Sequence, residues 1–529
     1  MTGPATLRPA AAGARMVRTV LLVLCAAWGA TSLTYPFGWD QGIMASVGDA
    51  MLHGGMPYRE AWDIKGPVAH VWFATAQLLS GRAQWGIRVL DLALLLWAAL
   101  SLARVGGRLT RVSAGPWIAI GLVLAHASLG YFYTAQPDGA VSLGLAVAFA
   151  PLLAKAPGRR ALAVAGAVVG VAMLMKPLYV VFLLIPFLVV VQADGPNMRE
   201  RFTSLVIVGV ATALPVAAML GWFAARGALD EMIDVYVRYN ASSYSGVTDF
   251  SLRQRVMGVV QYFLPLPRAL ALGVMLIGTA SALRRDRRRA VLVIGWFLGA
   301  VALVVSQGKF FVYHWAVIFP SAGLLLAYGI DAIVGAGLNA GRDRPDTSSA
   351  AWRTAVGAVA VLGILLPLAR QPLGDVVNAA RLATRVDSRA QYYARFGLDD
   401  RSYVAADQMA AAEYIEAHTS ASDRVAIFGY DAPVLYLSQR TNATPFSYAL
   451  PLVGHRSTAV FRERYRRAYL AALADPPAYV VVGLLFSGKE KTLADFPEFR
   501  DFLAQHFVLE TSFGNVDLYR RRGAASAVP

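Results

Sequence analysis

Apolar stretches suited to crossing a bilayer recur eleven times between Val17 and Ala369, and nothing else in the sequence constrains the fold as much. They are Val17–Thr34, Trp85–Ala103, Pro116–Tyr131, Gly139–Ala154, Ala161–Met175, Leu178–Val191, Phe202–Ala224, Phe263–Leu283, Ala290–Val305, Trp315–Val334 and Thr354–Ala369. Spanning the hydrocarbon takes ~20 mostly apolar residues, and shorter spans are tolerated. Composition agrees. The chain is 57% hydrophobic and 16% charged, with a mean hydropathy of +0.50, where a soluble domain averages about 45–50% apolar and ~25% charged. Lipid is therefore the expected solvent, and the fold class is a polytopic α-helical membrane protein.

A net charge of +16 raises the question of a nucleic-acid partner, and the distribution of that charge argues against one. The basic residues fall in short clusters between spans: Arg8/Arg15/Arg18, Arg104/Arg108/Arg111, Lys155/Arg159/Arg160, Arg199/Arg201, Arg284–Arg289 and Arg342/Arg344/Arg353. With eleven spans and a cytoplasmic N-terminus, all six clusters lie inside, as the positive-inside rule requires. The short apolar segment Val68–Ser80 would reverse every later loop if it spanned, so it is read as a helix at the outer interface, with Trp72, Phe73 and Trp85 at headgroup level. The N-terminus resembles a signal peptide, but the many following spans favour an uncleaved first helix. Cys25, the sole cysteine, excludes an internal disulfide and reads as a packed thiol. The expected organisation is a cytoplasmic N-terminus (1–16), a membrane domain (17–370) with a long outer loop (35–84), and an extracytoplasmic domain (371–529), in a plasma (inner) membrane.

The tail alternates helix and strand patterns. Ala405–His418, Phe461–Leu473 and Phe499–Gln505 read as helices; Arg424–Phe428, Ala478–Val482, Phe507–Glu510 and Val516–Tyr519 read as strands. That alternation predicts a small soluble α/β domain. It holds no glycine-rich phosphate loop, metal-ligand spacing or nucleophile elbow, which leaves packing, acceptor binding or partner binding as its role.

Residues suited to chemistry gather in the expected outer loops. Asp40 follows the first span, beside Trp39; a partly desolvated carboxylate there suits a general base, although position alone favours a loop residue or a helix cap for Gln41–Met51. Lys65 precedes the interfacial helix, where a cation meets a lipid phosphate or simply snorkels. Arg88 and Asp91, three apart in a span, read equally as a buried pair or a functional one. Asp138 stands at an outer boundary, as a second site acid or as a cap. Lys176-Pro177 occupies a tight outer turn, and Lys309 and His314 the last one. His126 reads as a packing residue.

These residues resemble the GT-C glycosyltransferases, near the bacterial protein O-mannosyltransferase and aminoarabinose transferase group. The resemblance covers about Val17–Ile330. The family's Asp-Glu after the first span is here Asp40-Gln41; its Gly-x-Pro-Tyr-like stretch is Gly55-Met56-Pro57-Tyr58; its Lys-Pro-Pro is Lys65-Gly66-Pro67. Arg88, Asp138, Lys176 and the late Lys309, Tyr313 and Pro320 fall at matching places. Gln41 replaces the second acid and Gly66 the first proline of that motif.

The resemblance implies transfer of a sugar from a polyprenyl-phosphate donor to a glycan, lipid or protein acceptor, with inversion. Asp40 would take the acceptor's proton and Asp138 would orient the acceptor or support Asp40. Lys65, with Lys176 or Arg88, would stabilise the departing phosphate; Tyr58, Lys309 and His314 would line the substrate site. The few cations favour a monophosphate. No cofactor is indicated, and the missing second acid leaves metal dependence open. The alternative is a transporter or flippase for lipid-linked glycans, in which ionisable residues sit nearer the midplane between inverted repeats; a third reading is a non-enzymatic assembly protein.

Overall fold

The computed structural model describes residues 7–111, 114–244, 250–340, 347–454, 457–485 and 488–523, in two compact units. Arg342 and Arg344, and the side chain of Arg8, lie outside what is described.

One unit comprises Met1–Ser32, Leu90–Ala217 and Phe250–Val377. Among the described residues, six helices are long and apolar enough to cross a membrane: Trp85–Leu109, Met198–Ala225, Leu266–Arg285, Arg287–Gln307, Val312–Gly335 and Trp352–Ala383. Shorter apolar helices cover Gly115–Ala127, Pro137–Leu153 and Pro177–Val191. Helices Leu7–Ser32 and Arg159–Met173 occupy the two remaining expected segments. Helix thus stands at all eleven, but among the described residues six meet the length and hydropathy of a full span, so a count of eleven is not reached by that measure. The chain is a multi-pass helical membrane protein. Prolines explain part of the shortening. Pro177 opens a 3-10 stretch, Pro177–Leu183, before helix Leu184–Val191, because a proline ring suits a first turn and donates no N–H to the turn before it. Glycines let helices close up: a methyl group on Gly278 or Gly329 would strike the Leu325 or Val274 carbonyl, so Leu266–Arg285 and Phe319–Ala340 meet backbone to backbone, a usual device of membrane helix pairs.

The other unit comprises Leu33–Val89, Ala218–Asp249 and Asn378–Pro529. Its centre is a five-stranded sheet of order β2-β1-β3-β5-β4, with β1 Arg424–Phe428, β2 Thr441–Asn442, β3 Tyr479–Val482, β4 Phe507–Phe513 and β5 Val516–Arg521. β1 runs parallel to β2 and β3, pairing Val425 with Tyr479 and Phe428 with Val482. β5 is antiparallel to β3 and β4, with a register shift in β4 between Leu509 and Thr511. The two central strands are buried nearly throughout, as continuous apolar runs in parallel pairs should be. Four of these strands and the three expected helices stand where the sequence pattern places them, the helices as Ala405–Ala417, Ala459–Ala472 and Pro497–His506. β2 is too short to leave a pattern, and helix Ala432–Leu437 carries no capping side chain.

The three segments share one aromatic core. Trp62, from the first, lies with its ring centroid 5.2 Å from Tyr239 of the second and 5.4 Å from Tyr465 of the third. Its backbone N–H donates to the Pro445 carbonyl at 2.8 Å. Segment Val68–Ser80 is helical, within Pro67–Ser80, with Pro67 at the favoured first position; its 14 residues pack on helix Trp39–Leu52.

Candidate active site

Helix Trp39–Leu52 starts at Gly38, whose amide donates to Gln41 Oε1 at 2.5 Å. Asp40 is therefore not the cap. It sits in the first turn, where the helix dipole favours a negative charge, and its Oδ1 accepts a hydrogen bond from Lys65 Nζ at 3.0 Å. Lys65 Nζ also lies 3.9 Å from Asp63 Oδ1. Asp63 is fully buried. Its Oδ1 accepts from the Ile64 N–H at 2.7 Å and the Tyr448 hydroxyl at 2.9 Å, and its Oδ2 lies 3.0 Å from His70 Nε2. Burial alone would raise the Asp63 carboxyl; Lys65, His70 and Tyr448 outweigh it and bring it down to about 2. Burial would likewise discharge Lys65, but Asp40 and Asp63 reverse that and hold its ammonium charged well beyond the ordinary range. The result is a lysine clamped between a buried carboxylate and a partly exposed one.

The backbone around Lys65 is fixed both from another segment of the same unit and from within its own loop. Asn240 Nδ2 donates to the Ile64 carbonyl at 2.9 Å, and the Tyr58 hydroxyl donates to the Lys65 carbonyl at 2.8 Å. Tyr58 itself has φ 73, a left-handed conformation that costs a non-glycine residue ~1–3 kcal/mol and persists only where its surroundings enforce it. Arg88 is buried; its Nη2 donates to the Pro36 carbonyl at 2.9 Å and its guanidinium lies 5.5 Å from the Tyr35 ring centre. Trp39 stacks on Tyr430, centroids 5.0 Å apart.

Asp63 is the site residue that sequence reasoning missed. Its signal was its spacing: in an extended segment, residues two apart project to one side, which makes Asp63-Ile64-Lys65 a carboxylate beside its cation. A second buried carboxylate, Asp431, follows β1. Its Oδ1 accepts from Gln408 Nε2 at 2.6 Å, and its Oδ2 has no hydrogen-bond partner among the described residues. Burial, more than the opposing Gln408 contact, pushes its carboxyl up to about 6.

The membrane unit holds a cluster of its own. Helix Pro137–Phe149 has Gln136 at its cap position, so Asp138 is not the cap here either. Asp138 is buried and accepts from Lys176 Nζ at 2.6 Å and the Tyr179 hydroxyl at 2.6 Å. Lys176 Nζ also donates to Gln307 Oε1 at 3.0 Å and lies 5.6 Å from the Tyr313 ring centre. His314 is buried, close enough to feel the charges of Lys176, Asp138 and Lys309. Ala135 and Phe310, flanking this cluster in sequence, are left-handed with φ 55 and 51. His126 Nε2 lies 2.7 Å from Asp91 Oδ2, which gives that histidine a buried carboxylate partner. Among the described residues, no group of three or more His, Cys, Asp or Glu side chains could hold a metal ion.

No protein-family model and no curated protein matches the sequence. Solved structures do. The chain is similar to ArnT from Cupriavidus metallidurans bound to undecaprenyl phosphate, with a TM-score of 0.61 at 15% identity over 98% of this chain and 99% of that one. The apo state of the same ArnT gives 0.60 at 14% identity, covering 98% and 100%.

The chain has a GT-C-like fold. At this identity the likeness is one of fold, and its extent is the informative part. The sequence resemblance ended near Ile330, whereas the structural one takes in 98% of the chain. The sheet-containing unit therefore belongs to the GT-C-like architecture, and Asp40 and Lys65 sit inside that unit.

Proposed function

We propose that this protein is a glycosyltransferase that moves a sugar from a polyprenyl-phosphate carrier to an acceptor hydroxyl, with inversion. The observation that carries the reading is the Lys65 ammonium held between Asp40 and Asp63. Supporting it are the GT-C-like fold and the undecaprenyl phosphate bound to the structurally similar ArnT.

Asp40 accepts the proton of the acceptor hydroxyl as its oxygen bonds to the anomeric carbon. The bond from that carbon to the phosphate oxygen breaks, and its electron pair leaves with the phosphate. Lys65 stabilises the charge that develops there, an interaction strengthened by partial desolvation. Asp63 resolves a conflict in this scheme. Asp40 cannot act as base while it is the sole partner of Lys65; with Asp63 fixed behind it, Lys65 keeps its charge and place when it turns to the phosphate and frees Asp40. Tyr58 and Arg88 position the Lys65 loop and the approach to Trp39. In the membrane unit, Asp138, Lys176, Lys309 and His314 are assigned to substrate binding. The reading places the Asp40–Lys65 pair on the outer face of a plasma (inner) membrane, with eleven spans, a cytoplasmic N-terminus and an extracytoplasmic C-terminal segment.

The test is polyprenyl-phosphate release by the purified protein, supplied with polyprenyl-phosphate-linked sugars and cell-envelope acceptors, with Lys65→Met as control. Release by the wild type and its loss in Lys65→Met supports the reading. Movement of the intact lipid-linked sugar across vesicles, with no phosphate released from any donor, refutes it and favours a transporter.

A further inference from the structure

The membrane unit contains a cavity of about 390 Å³ that the transfer chemistry does not use, lined by Arg111, Arg284, Arg285, Ile277, Ala332 and Gly335, among others. It lies where helix Leu266–Arg285 ends, and the chain turns there directly into helix Arg287–Gln307. The far end of that second helix is Gln307, which accepts from Lys176. Twenty-one residues at 1.5 Å each place the cavity about 30 Å from the Asp138–Lys176 cluster, the thickness of a hydrocarbon core.

The charges in it are unbalanced. Arg285 pairs with Asp331, and Asp331 Oδ1 also accepts the Arg111 backbone N–H at 2.8 Å. The neighbouring Asp286 is taken by Arg289 at 3.0 Å. Arg284 and the Arg111 guanidinium have no carboxylate partner among the described residues, and both residues are exposed. Two uncompensated guanidinium groups thus stand over an apolar floor at the end of a spanning helix. The floor has room: Gly335 is buried, yet a side chain added there would meet no atom within 4 Å.

We propose that this cavity binds the headgroup of an anionic phospholipid, the phosphate on Arg111 and Arg284 and the start of the acyl chains along Ile277, Ala332 and Gly335. Guanidinium groups match phosphate oxygens in planar, bidentate geometry, and basic pockets between spanning helices are suited to such headgroups. The apolar floor favours a lipid over free phosphate, because an inorganic anion gains nothing from it. The inference rests on the membrane reading and is independent of glycosyl transfer.

The test titrates short-chain phosphatidylglycerol, the phosphatidylcholine of equal chain length and inorganic phosphate into the full-length protein in neutral detergent, with binding counted by native mass spectrometry. Phosphatidylglycerol should bind saturably, at least tenfold more tightly than the other two. Arg111→Gln with Arg284→Gln should weaken it about thirtyfold, roughly fivefold for each cation lost. Gly335→Leu keeps every charge and fills the floor, and should remove binding to the same extent. Unchanged phosphatidylglycerol binding in both variants would overturn the proposal. So would equally tight binding of phosphatidylcholine, or saturation by phosphate alone.

Discussion

Replacing Asp40 by Asn separates the chemical role of this carboxylate from any role in folding. Its side chain is 27% exposed and that of Lys65 is 14% exposed, so the pair is only partly desolvated and its net contribution to stability is modest, ~1 kcal/mol or less. Losing Asp40 does not strand the ammonium, because Asp63 remains 3.9 Å away with its charge intact. The large penalty of an uncompensated buried cation, ~3–5 kcal/mol, therefore does not arise. Asn is close in size to Asp and keeps one oxygen toward Lys65. The expected melting temperature is within about 2 °C of the wild type. Catalysis should respond very differently: a positioned general base contributes ~10²–10⁴-fold, so kcat for polyprenyl-phosphate release should fall by that factor with KM for the donor little changed. Single-turnover release with a saturating lipid-linked sugar, measured beside a thermal melt, gives both quantities. An Asn variant that transfers sugar within about threefold of wild type would refute Asp40 as base. An equal loss of activity with a collapsed melt would show that the pair is structural.

Asp63 is drawn from 3.8 to about 2. A lowered carboxyl contributes stability that is present above about pH 4 and lost as pH falls toward 2, worth about 2 kcal/mol; Asp63→Asn should flatten the acid limb of a stability-versus-pH curve while lowering stability at neutral pH. Asp431 has the opposite sign. Its carboxyl is raised from 3.8 to about 6, so the folded state holds the proton more tightly and loses about 3 kcal/mol as pH rises from 4 to 6; Asp431→Asn should raise the melting temperature at pH 8 and leave it nearly unchanged at pH 4, and a variant destabilised equally at both would contradict the burial argument. Gly42 lies two residues after Asp40, and a methyl group there would come within 2.6 Å of the Pro433 ring. Gly42→Ala should cost about 1–3 kcal/mol and, by displacing the first turn of the helix, reduce transfer more than a comparably destabilising change at a buried position of β5 such as Val516→Ala.

Much of the fold was legible because its signals are local. Eleven apolar runs placed helices, and Arg424–Phe428 read as a strand to the residue, because a buried parallel strand is a short unbroken apolar run with turn residues on either side. Span length was less legible. Pro137 and Pro177 open helices in the structure, and hydropathy alone does not register that a proline restarts the hydrogen-bond ladder. The union of the first loop, segment 218–249 and the tail left no local trace. It depends on Trp62, Tyr239 and Tyr465, aromatic residues far apart in sequence, whose common core becomes evident only once the chain is folded.

The candidate site follows the same division. Asp40 and Lys65 could be picked out because a charge beside an apolar span needs a reason, but position alone favoured a loop residue or cap for Asp40 and allowed a snorkelling lysine for Lys65. The structure answers the first: Gly38 and Gln41 already complete the helix start. It adds to the second a carboxylate partner for Lys65. What makes the pair more than a salt bridge is Asp63, and Asp63 depends on partners at three distances along the chain: Ile64 next to it, His70 seven residues on, and Tyr448 from the sheet-containing segment. A carboxylate so fully bonded keeps its charge, so Lys65 retains one anionic neighbour whatever Asp40 does. In the proposed transfer, that asymmetry, one acid fixed and one partly exposed around a single cation, would let Asp40 take up a proton without releasing Lys65. If the two acids were equivalent, Asp40→Asn and Asp63→Asn would have matching effects; here the first should chiefly cost rate and the second chiefly stability.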